Sequence, residues 1–128
     1  MAKKTSRKPS VYLTDRALRD TKGIEVHSLE RLGKRVATQY LGKLEAGISR
    51  ISGNLNLLRQ EAPFHASLEF YRVEQHLLVC ETAMEGEIII LTVLHASMDI
   101  PSRLGELEPI LRLEAEMLLK QLTRSAKR

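Results

Sequence analysis

The spacing of apolar residues predicts a short extended segment at the start of the chain, followed by a helix. Pro9 to Leu13 is predicted to form a strand, because proline is tolerated at the first residue of a strand. The hydroxyl of Thr14 can cap a helix that runs to about Arg31. Four apolar residues are expected to form the inner face of this helix: Leu18, Val26, Leu29 and Leu32.

The second helix has the clearest helical period in the chain. Its apolar residues recur at spacings of three and four: Val36, Ala37, Tyr40, Leu41, Leu44, Ile48 and Ile51. Gly53-Asn54 is a suitable end for such a helix. Because only Leu32-Gly33 separates the two helices, they are predicted to fold back on each other as an antiparallel hairpin.

Three strands are predicted next, at Ser67 to Val73, His76 to Thr82 and Glu87 to Leu94. The links between them, Glu74-Gln75 and residues 83–86, are short enough to make consecutive strands antiparallel neighbours. The last strand is apolar on both faces, which is typical of a central strand covered by helices.

The helical period returns after Pro101 and predicts a C-terminal helix at about residues 103–122, with Pro109 as the first residue of its regular segment. Two functions of its apolar stripe are open: it completes the core of the domain, or it docks a partner segment. The stripe consists of Leu111, Ala115, Leu118 and Leu122.

These elements predict an α+β fold with two layers. An N-terminal strand and a helical hairpin pack on a small antiparallel sheet in the order β-α-α-β-β-β, and a C-terminal helix is added. The length of 128 residues and the 43% of hydrophobic residues suit a single domain, which we assign to residues 9–123.

Charge is distributed unevenly along the chain, which has a net charge of +4. Residues 1–8 and 124–128 form basic tails with seven positive charges and no acid, and the N-terminal tail is predicted to be disordered. Of the 20 basic residues, 13 therefore remain in the body against 16 acidic ones, so direct nucleic-acid binding by the body is not expected.

The composition also limits compartment and cofactors. No apolar run reaches the ~20 residues that span a bilayer, and the N-terminus lacks the apolar segment of a signal peptide, so a cytoplasmic protein is expected. The single cysteine, Cys80, permits no internal disulfide. Metal-ligand spacing is missing at this cysteine and at the four histidines, and there is no glycine-rich phosphate loop, so neither a metal nor another cofactor is expected. The histidines are His27, His65, His76 and His95.

Four groups of residues, taken with the order of elements, are typical of one protein family. They are Tyr12-Leu13-Thr14, Val36-Ala37…Tyr40-Leu41…Leu44-Glu45…Ile48 in the second helix, Phe70-Tyr71-Arg72-Val73, and Val93-Leu94-His95 followed by Asp99. In these features the chain resembles the ParE branch of the ParE/RelE toxins of bacterial type II toxin-antitoxin systems, over roughly Ser10 to Asp99. The resemblance implies a toxin that inhibits DNA gyrase by binding, without catalysis, and that a cognate antitoxin neutralises.

Two alternatives stay open beside this interpretation. RelE-like members cut mRNA on the ribosome and carry Lys, Arg and Tyr on the sheet. Here Leu68 stands where such toxins commonly have an arginine, and Ala96-Ser97-Met98 stands where another basic residue is expected. If the chain is such a ribosome-dependent mRNA interferase, its catalytic residues are Tyr71, Arg72 and His95. The other alternative is an inactive family member.

The candidate residues have specific expected contacts. We expect Tyr71 and Arg72 to point to opposite faces of their strand. Arg72 is expected to pair with Glu81 or Asp99, and His95 to hydrogen-bond to Asp99 or to backbone. The target-binding candidates are Arg72, His95, Asp99 and Arg103; the antitoxin-binding candidates are Leu111, Ala115, Leu118 and Leu122.

Overall fold

The structure, a computed structural model, describes residues 10–61, 68–83 and 86–126. The predicted basic tail at residues 1–8 lies outside the described residues, as does His65. None of the described helices is long and apolar enough to cross a membrane. The elements are β1 (Val11–Leu13), α1 (Asp15–Leu32), α2 (Lys34–Gly53), a 3-10 turn (Leu55–Leu57), β2 (Arg59–Gln60), β3 (Glu69–Val73), β4 (His76–Thr82), β5 (Ile88–His95) and α3 (Ile100–Ala126).

The strands form one five-stranded sheet in the order β1-β5-β4-β3-β2. β1 runs parallel to β5, and the other neighbours are antiparallel. The predicted α+β fold, with its hairpin and its three-stranded meander, is confirmed. The sequence analysis missed β2, because its two exposed residues, Arg59 and Gln60, show no apolar alternation.

The sheet is covered on both faces, so that α3 forms a layer of its own. Residues of β5 such as Ile88, Ile90 and Val93 belong to the core cluster under the helical hairpin. Ile89 and Leu94 belong to the cluster under α3. The prediction of a doubly covered central strand is therefore confirmed, and α3 completes the core of the domain.

The first helix begins where the sequence predicts. The hydroxyl oxygen of Thr14 accepts a hydrogen bond from the backbone N–H of Ala17 at 3.1 Å, and the hydroxyl donates to the carbonyl oxygen of Leu91 at 2.9 Å. The carboxylate of Asp20 accepts from Thr92 and, at 3.0 Å, from the backbone N–H of Val93. These contacts fasten α1 to the part of β5 that extends beyond its pairing with β1.

The predicted inner face of α1 is wrong. Leu18, Val26, Leu29 and Leu32 are 42–62% exposed. The helix turns a different side inward, with Ala17 and Ser28 buried and Ile24 partly buried. Small side chains at the contact let the helix backbone approach the sheet closely, and the contacts of Asp20 fix the same rotation.

The predicted start and end of the C-terminal helix also need correction. α3 begins at Ile100 and continues to Ala126, with Pro109 inside it. The carboxylate of Asp99 caps the first turn: it accepts from the backbone N–H of Ser102 at 3.4 Å and from the hydroxyl of the same residue at 2.9 Å. Leu104 and Leu107 are buried against the sheet. Burying such side chains stabilises by about 1.5–3 kcal/mol each, which offsets the ~3 kcal/mol that an internal proline costs a helix.

One close contact sets the distance between α2 and the sheet. A Cβ atom added at Gly47 would lie 2.5 Å from Cγ2 of Val73 on β3. Only a residue without a side chain fits at this separation, since real Cβ atoms do not approach a neighbour so closely. Gly42 in the same helix has no heavy atom within 4 Å of the equivalent position.

Candidate functional site

Several candidate residues lie at one end of the sheet, which we call the histidine end. His76 begins β4 and pairs with His95, the last residue of β5. Arg72 on β3 pairs with Leu77, the next residue of β4. Asp99 lies in the short link between β5 and α3 and directly precedes α3. The fold therefore brings residues far apart in the sequence to the same end of the sheet.

Tyr40 and His76 form a hydrogen-bonded pair that the sequence analysis did not identify. The Tyr40 hydroxyl oxygen lies 2.6 Å from Nδ1 of His76 and accepts from the backbone N–H of Gln75 at 3.1 Å. Because that oxygen already accepts from Gln75, the hydroxyl proton is available to donate to Nδ1. The rings of His76 and His95 meet edge to face, with centroids 5.1 Å apart.

The electrostatics of this pair favour neutral rings. Burial, reinforced by His95 and His27, lowers the pKa of His76 to about 4. Burial also raises the pKa of Tyr40 above its ordinary value. At neutral pH, His76 is therefore an uncharged hydrogen-bond acceptor at Nδ1. It contributes no positive charge that would attract a phosphate.

His95 is exposed and is held by the residues that follow it. Its Nδ1 atom accepts from the backbone N–H of Ser97 at 3.1 Å and lies 2.7 Å from the hydroxyl oxygen of the same residue. The predicted hydrogen bond to backbone is confirmed, whereas Asp99 is engaged in capping α3. Because Nδ1 accepts, the neutral ring carries its proton on Nε2, which is a donor.

The predicted ion pair of Arg72 is wrong. The Nε atom of Arg72 donates to the carbonyl oxygen of Glu74 at 2.7 Å, and no ion pair among the described residues joins Arg72 to Glu81 or Asp99. Glu81 pairs with Ile89 at the other end of the sheet. The short β3–β4 turn instead brings the backbone of Glu74 to the arginine.

Tyr71 lies on the opposite face from Arg72, as predicted. It packs beside the core cluster under the helical hairpin. The Nε atom of Arg50 donates to its hydroxyl oxygen at 2.8 Å, and the guanidinium carbon lies 5.8 Å from the ring centroid. Tyr71, Arg72 and His95 therefore do not converge on one point. Arg50, 21 residues away in the sequence, has no pattern that would have linked it to Tyr71.

A cavity of about 360 Å³ lies between the helical hairpin and the histidine end. His76 and His95 line one side, and Leu32 at the end of α1 lines another. Within the described parts of the chain, no group of three His, Cys, Asp or Glu residues is placed to hold a metal ion. The further lining residues are Asp20, Gly23, Ile24, His27, Ser28, Tyr40, Gln75 and Val93.

An apolar surface lies at the turn of the helical hairpin. We call it the tip patch; it consists of Val26, Leu29, Leu32 and Val36, which are 40–62% exposed. Exposed basic residues are interspersed with it: Arg31, Lys34 and Arg35. The sequence contained the signal for this surface, namely the apolar face of α1, but that face was assigned to the core.

The apolar stripe of α3 is directed at the chain's own sheet. Leu111 and Ala115 are buried there, and Leu118 and Leu122 are partly buried. A partner could reach Leu111 and Ala115 only if α3 left the sheet. Antitoxin binding through this stripe stays a prediction. Of the target-binding candidates, Arg72, His95, Asp99 and Arg103 are all exposed.

Comparisons with known proteins agree on one family. Residues 11–100 match the model of the family described as the ParE toxin of the type II toxin-antitoxin system, parDE. The chain is similar to the toxin ParE of Escherichia coli, with 27% identity over 94 residues, 73% of this chain and 91% of that protein.

One solved structure shares the described fold, and a second is a weaker match. A chain of the chromosomal ParDE TA system from P. aeruginosa matches with a TM-score of 0.62 at 16% identity, over 72% of this chain and 100% of that one. A chain of the toxin-antitoxin complex RelBE2 from Mycobacterium tuberculosis matches with a TM-score of 0.49 at 20% identity, over 70% and 94% of the two chains. The family match ends at residue 100, where α3 begins.

Proposed function

The chain belongs to the ParE toxin family of type II toxin-antitoxin systems, and we propose that it inhibits growth by binding DNA gyrase and is neutralised by a cognate antitoxin. The observation that carries this proposal is the family match over residues 11–100, which covers both helices of the hairpin and the whole sheet. We propose that the toxin acts in the cytoplasm, where it would encounter gyrase and the antitoxin.

The geometry of the candidate residues supports binding without catalysis. RNA cleavage by 2′-OH attack needs a base, a cation and an acid that converge on one phosphate. Tyr71 and Arg72 lie on opposite faces of β3, and the Tyr71 hydroxyl is engaged by Arg50. The low pKa of His76 leaves that ring uncharged at neutral pH. These features favour a surface that recognises a protein.

The exposed charges of the histidine end are our candidate for the gyrase contact. Arg72 donates to a backbone carbonyl, and Arg103 forms an exposed ion pair with Glu106 at 3.1 Å. An exposed ion pair contributes only about 0–1 kcal/mol, so a target carboxylate can replace Glu106 at low cost. His95 is also exposed and lines the cavity.

The antitoxin needs a surface that is open in the folded toxin. Docking at the stripe of α3 requires that helix to leave the sheet, which exposes Leu104, Leu107 and Leu111. Each costs roughly 1.5–3 kcal/mol when it returns to water. An antitoxin that binds an exposed apolar surface avoids this cost.

The proposed target can be tested in cells and with purified proteins. Pulse-labelling after induction of the chain without its antitoxin is expected to show DNA synthesis falling before protein synthesis. Purified protein is expected to inhibit gyrase supercoiling. Supercoiling that continues unchanged at high excess of the protein would contradict the proposal.

Reversing the charges of the candidate arginines tests whether they contact gyrase. The double variant Arg72→Glu/Arg103→Glu is expected to lose inhibition while remaining folded, because both side chains are exposed. The matched control is Arg112→Glu, an exposed arginine of α3 that forms a similar ion pair with Glu108 at 3.0 Å. If the control loses inhibition equally, the histidine end is not the contact.

A second candidate function is ribosome-dependent mRNA cleavage, which the Tyr40–His76–His95 cluster favours because it places a phenol beside two imidazoles. In that case translation falls first, and His95→Ala abolishes toxicity because Nε2 of His95 serves as the acid. Unimpaired growth after induction of the wild-type chain would instead identify an inactive member of the family.

A further inference from the structure

The outer side of α3 carries apolar residues that no other described element covers. Ile110, Leu113 and Met117 are 44%, 56% and 55% exposed, although the opposite side of the same helix is buried on the sheet. Their spacings of three and four residues place the three side chains on one line along the helix. Single exposed apolar residues are ordinary, but a line of them suits contact with another helix. We call these three residues the outer stripe.

The direction of the outer stripe is fixed by contacts on the other sides of α3. The backbone N–H of Arg16 donates to the carboxylate of Glu114 at 3.1 Å, and Arg19 forms an ion pair with the same carboxylate at 3.8 Å. These contacts hold the middle of α3 to the first turn of α1, while the buried side of α3 packs on the sheet. The outer stripe therefore faces solvent in the folded chain. It lies in the segment after residue 100, where the family match ends.

Charged residues continue the line of the outer stripe in both directions. Glu106 lies seven residues before Leu113, and Arg124 lies seven residues after Met117. Because seven residues are close to two helical turns, both side chains fall on the line of the stripe, and both are exposed. The ion pairs of the described residues do not include Arg124, and Glu106 takes part only in an exposed pair with Arg103. Such exposed pairs are easily exchanged. The stripe therefore has an acid at one end and a base at the other.

We propose that the outer stripe is a contact between two copies of this chain, in which the two α3 helices pack antiparallel about a two-fold axis. A two-fold contact uses the same surface of both copies, so that surface must complement itself. Antiparallel packing that sets Leu113 of each copy opposite Met117 of the other buries apolar side chains against each other. The same register sets Glu106 of each copy opposite Arg124 of the other, which makes two ion pairs across the contact.

The charges also select the direction of the second helix and the identity of the partner. In a parallel pair of identical helices, Glu106 would face Glu106 and Arg124 would face Arg124, and like charges repel. In the antiparallel register, Lys120 lies opposite Ile110, and its aliphatic stem can cover that side chain while the ammonium group stays in water. An unrelated partner requires no match between the two ends of one helix. The match that α3 shows therefore favours a second copy of the chain.

The contact is small, so the dimer is expected to be weak and reversible, and dilute protein to be monomeric. The paired helices lie outside the α3 layer, so the helical hairpin on the other face of the sheet stays uncovered. Each α3 begins at the histidine end of its own copy. Because the two helices run in opposite directions, the two histidine ends lie at opposite ends of the dimer. The dimer would therefore present the target-binding candidates twice, well separated from each other.

Charge reversal tests the register, with the purified full chain and no other protein. Sedimentation equilibrium from about 1 μM to about 1 mM is expected to show the wild-type mass rising from 14.5 kDa towards twice that value. Glu106→Arg and Arg124→Glu each place like charges opposite each other, so each alone is expected to associate about 10-fold more weakly. An equimolar mixture of the two variants restores both ion pairs and is expected to associate like the wild type. A mixture no stronger than its components would overturn the inference.

Apolar substitutions test the surface itself. Leu113→Gln/Met117→Gln is expected to abolish association up to about 1 mM, because it removes the centre of the contact. The matched control is Leu29→Gln/Leu32→Gln, which removes exposed apolar side chains from the tip patch and is expected to associate like the wild type. Glutamine has nearly the helix propensity of leucine and methionine, so both variants should fold, which circular dichroism checks. A wild-type chain that stays monomeric throughout, or equal weakening of both variants, would overturn the inference.

Discussion

The apolar stripes of α1 and α3 look alike in the sequence but have opposite positions in the fold. The stripe of α1, including Leu29 and Leu32, reads as a core face and is exposed. The stripe of α3, including Leu111 and Ala115, allows two interpretations in the sequence, a core face or a docking face, and it is buried. Helical periodicity therefore reveals that a helix has an apolar side, but not which surface covers that side.

The sheet decides which helix is buried. One face is covered by α2 and by the small-residue side of α1, where Ala17 and Ser28 lie. The other face is covered by α3. Because β5 is apolar on both sides, the domain stabilises itself most by keeping α3 on the second face. The outer side of α1 is then left in solvent, where it can serve a partner.

The largest loss of stability is expected from a substitution on the buried side of α3. Leu104→Ala removes a side chain that is 1% exposed in the core under α3, and it is expected to lower the free energy of unfolding by about 2–5 kcal/mol. Leu113→Ala, on the exposed side of the same helix, is expected to change it by less than about 0.5 kcal/mol. Urea unfolding of both variants measures the difference. Similar values would mean that α3 is not anchored by this stripe.

A smaller loss of stability is expected from a substitution where α2 packs on the sheet. Gly47→Ala places a Cβ atom 2.5 Å from Val73, so the helix must shift and stability should fall by about 1–3 kcal/mol. Gly42→Ala in open space on the same helix is expected to raise stability by up to about 1 kcal/mol. Thermal unfolding compares the two. A stabilising Gly47→Ala would show that the hairpin adapts freely to the sheet.

The histidine end lies beside the tip patch. Its partly buried His76 should make the free energy of unfolding depend on pH. The folded pKa of His76 is about 4, below the ordinary 6.5. Between these values the unfolded chain binds a proton that the folded chain does not, so this residue lowers stability as the pH falls from about 6.5 to about 4. His76→Gln is expected to lose less stability than the wild type between about pH 7 and about pH 5. Urea midpoints at the two pH values test this, and equal losses would contradict it.

The smallest change in stability is expected from substitutions on the exposed apolar side of α1. Leu29→Gln/Leu32→Gln is expected to change the free energy of unfolding by no more than about 0.5 kcal/mol, because the side chains leave no cavity and helix propensity is kept. Urea unfolding of the free protein provides the measurement. A loss of several kcal/mol would place these residues in the core and remove the contrast between the two helices.

The sequence by itself determined most of the elements and their order, but not β2 or the ends of α3. Alternation and period located both helices of the hairpin, the three-stranded meander and the Thr14 cap, because these depend on local spacing and on short links. It also placed Tyr71 and Arg72 on opposite faces, since successive side chains of a strand alternate. The motifs of the resemblance led to the ParE family in the same way, because they are local strings of residues.

Only the tertiary structure decided which faces are covered and which residues meet. Counting back from the β4–β5 turn, where Thr82 pairs with Ile88, would pair His76 with Leu94. An irregularity between Val79 and Cys80 shifts the register and brings His76 opposite His95 instead. The candidate site and the exposed tip patch therefore depend on one extra residue in a strand and on the rotation of one helix. Both are set by packing between distant segments, which local spacing does not encode.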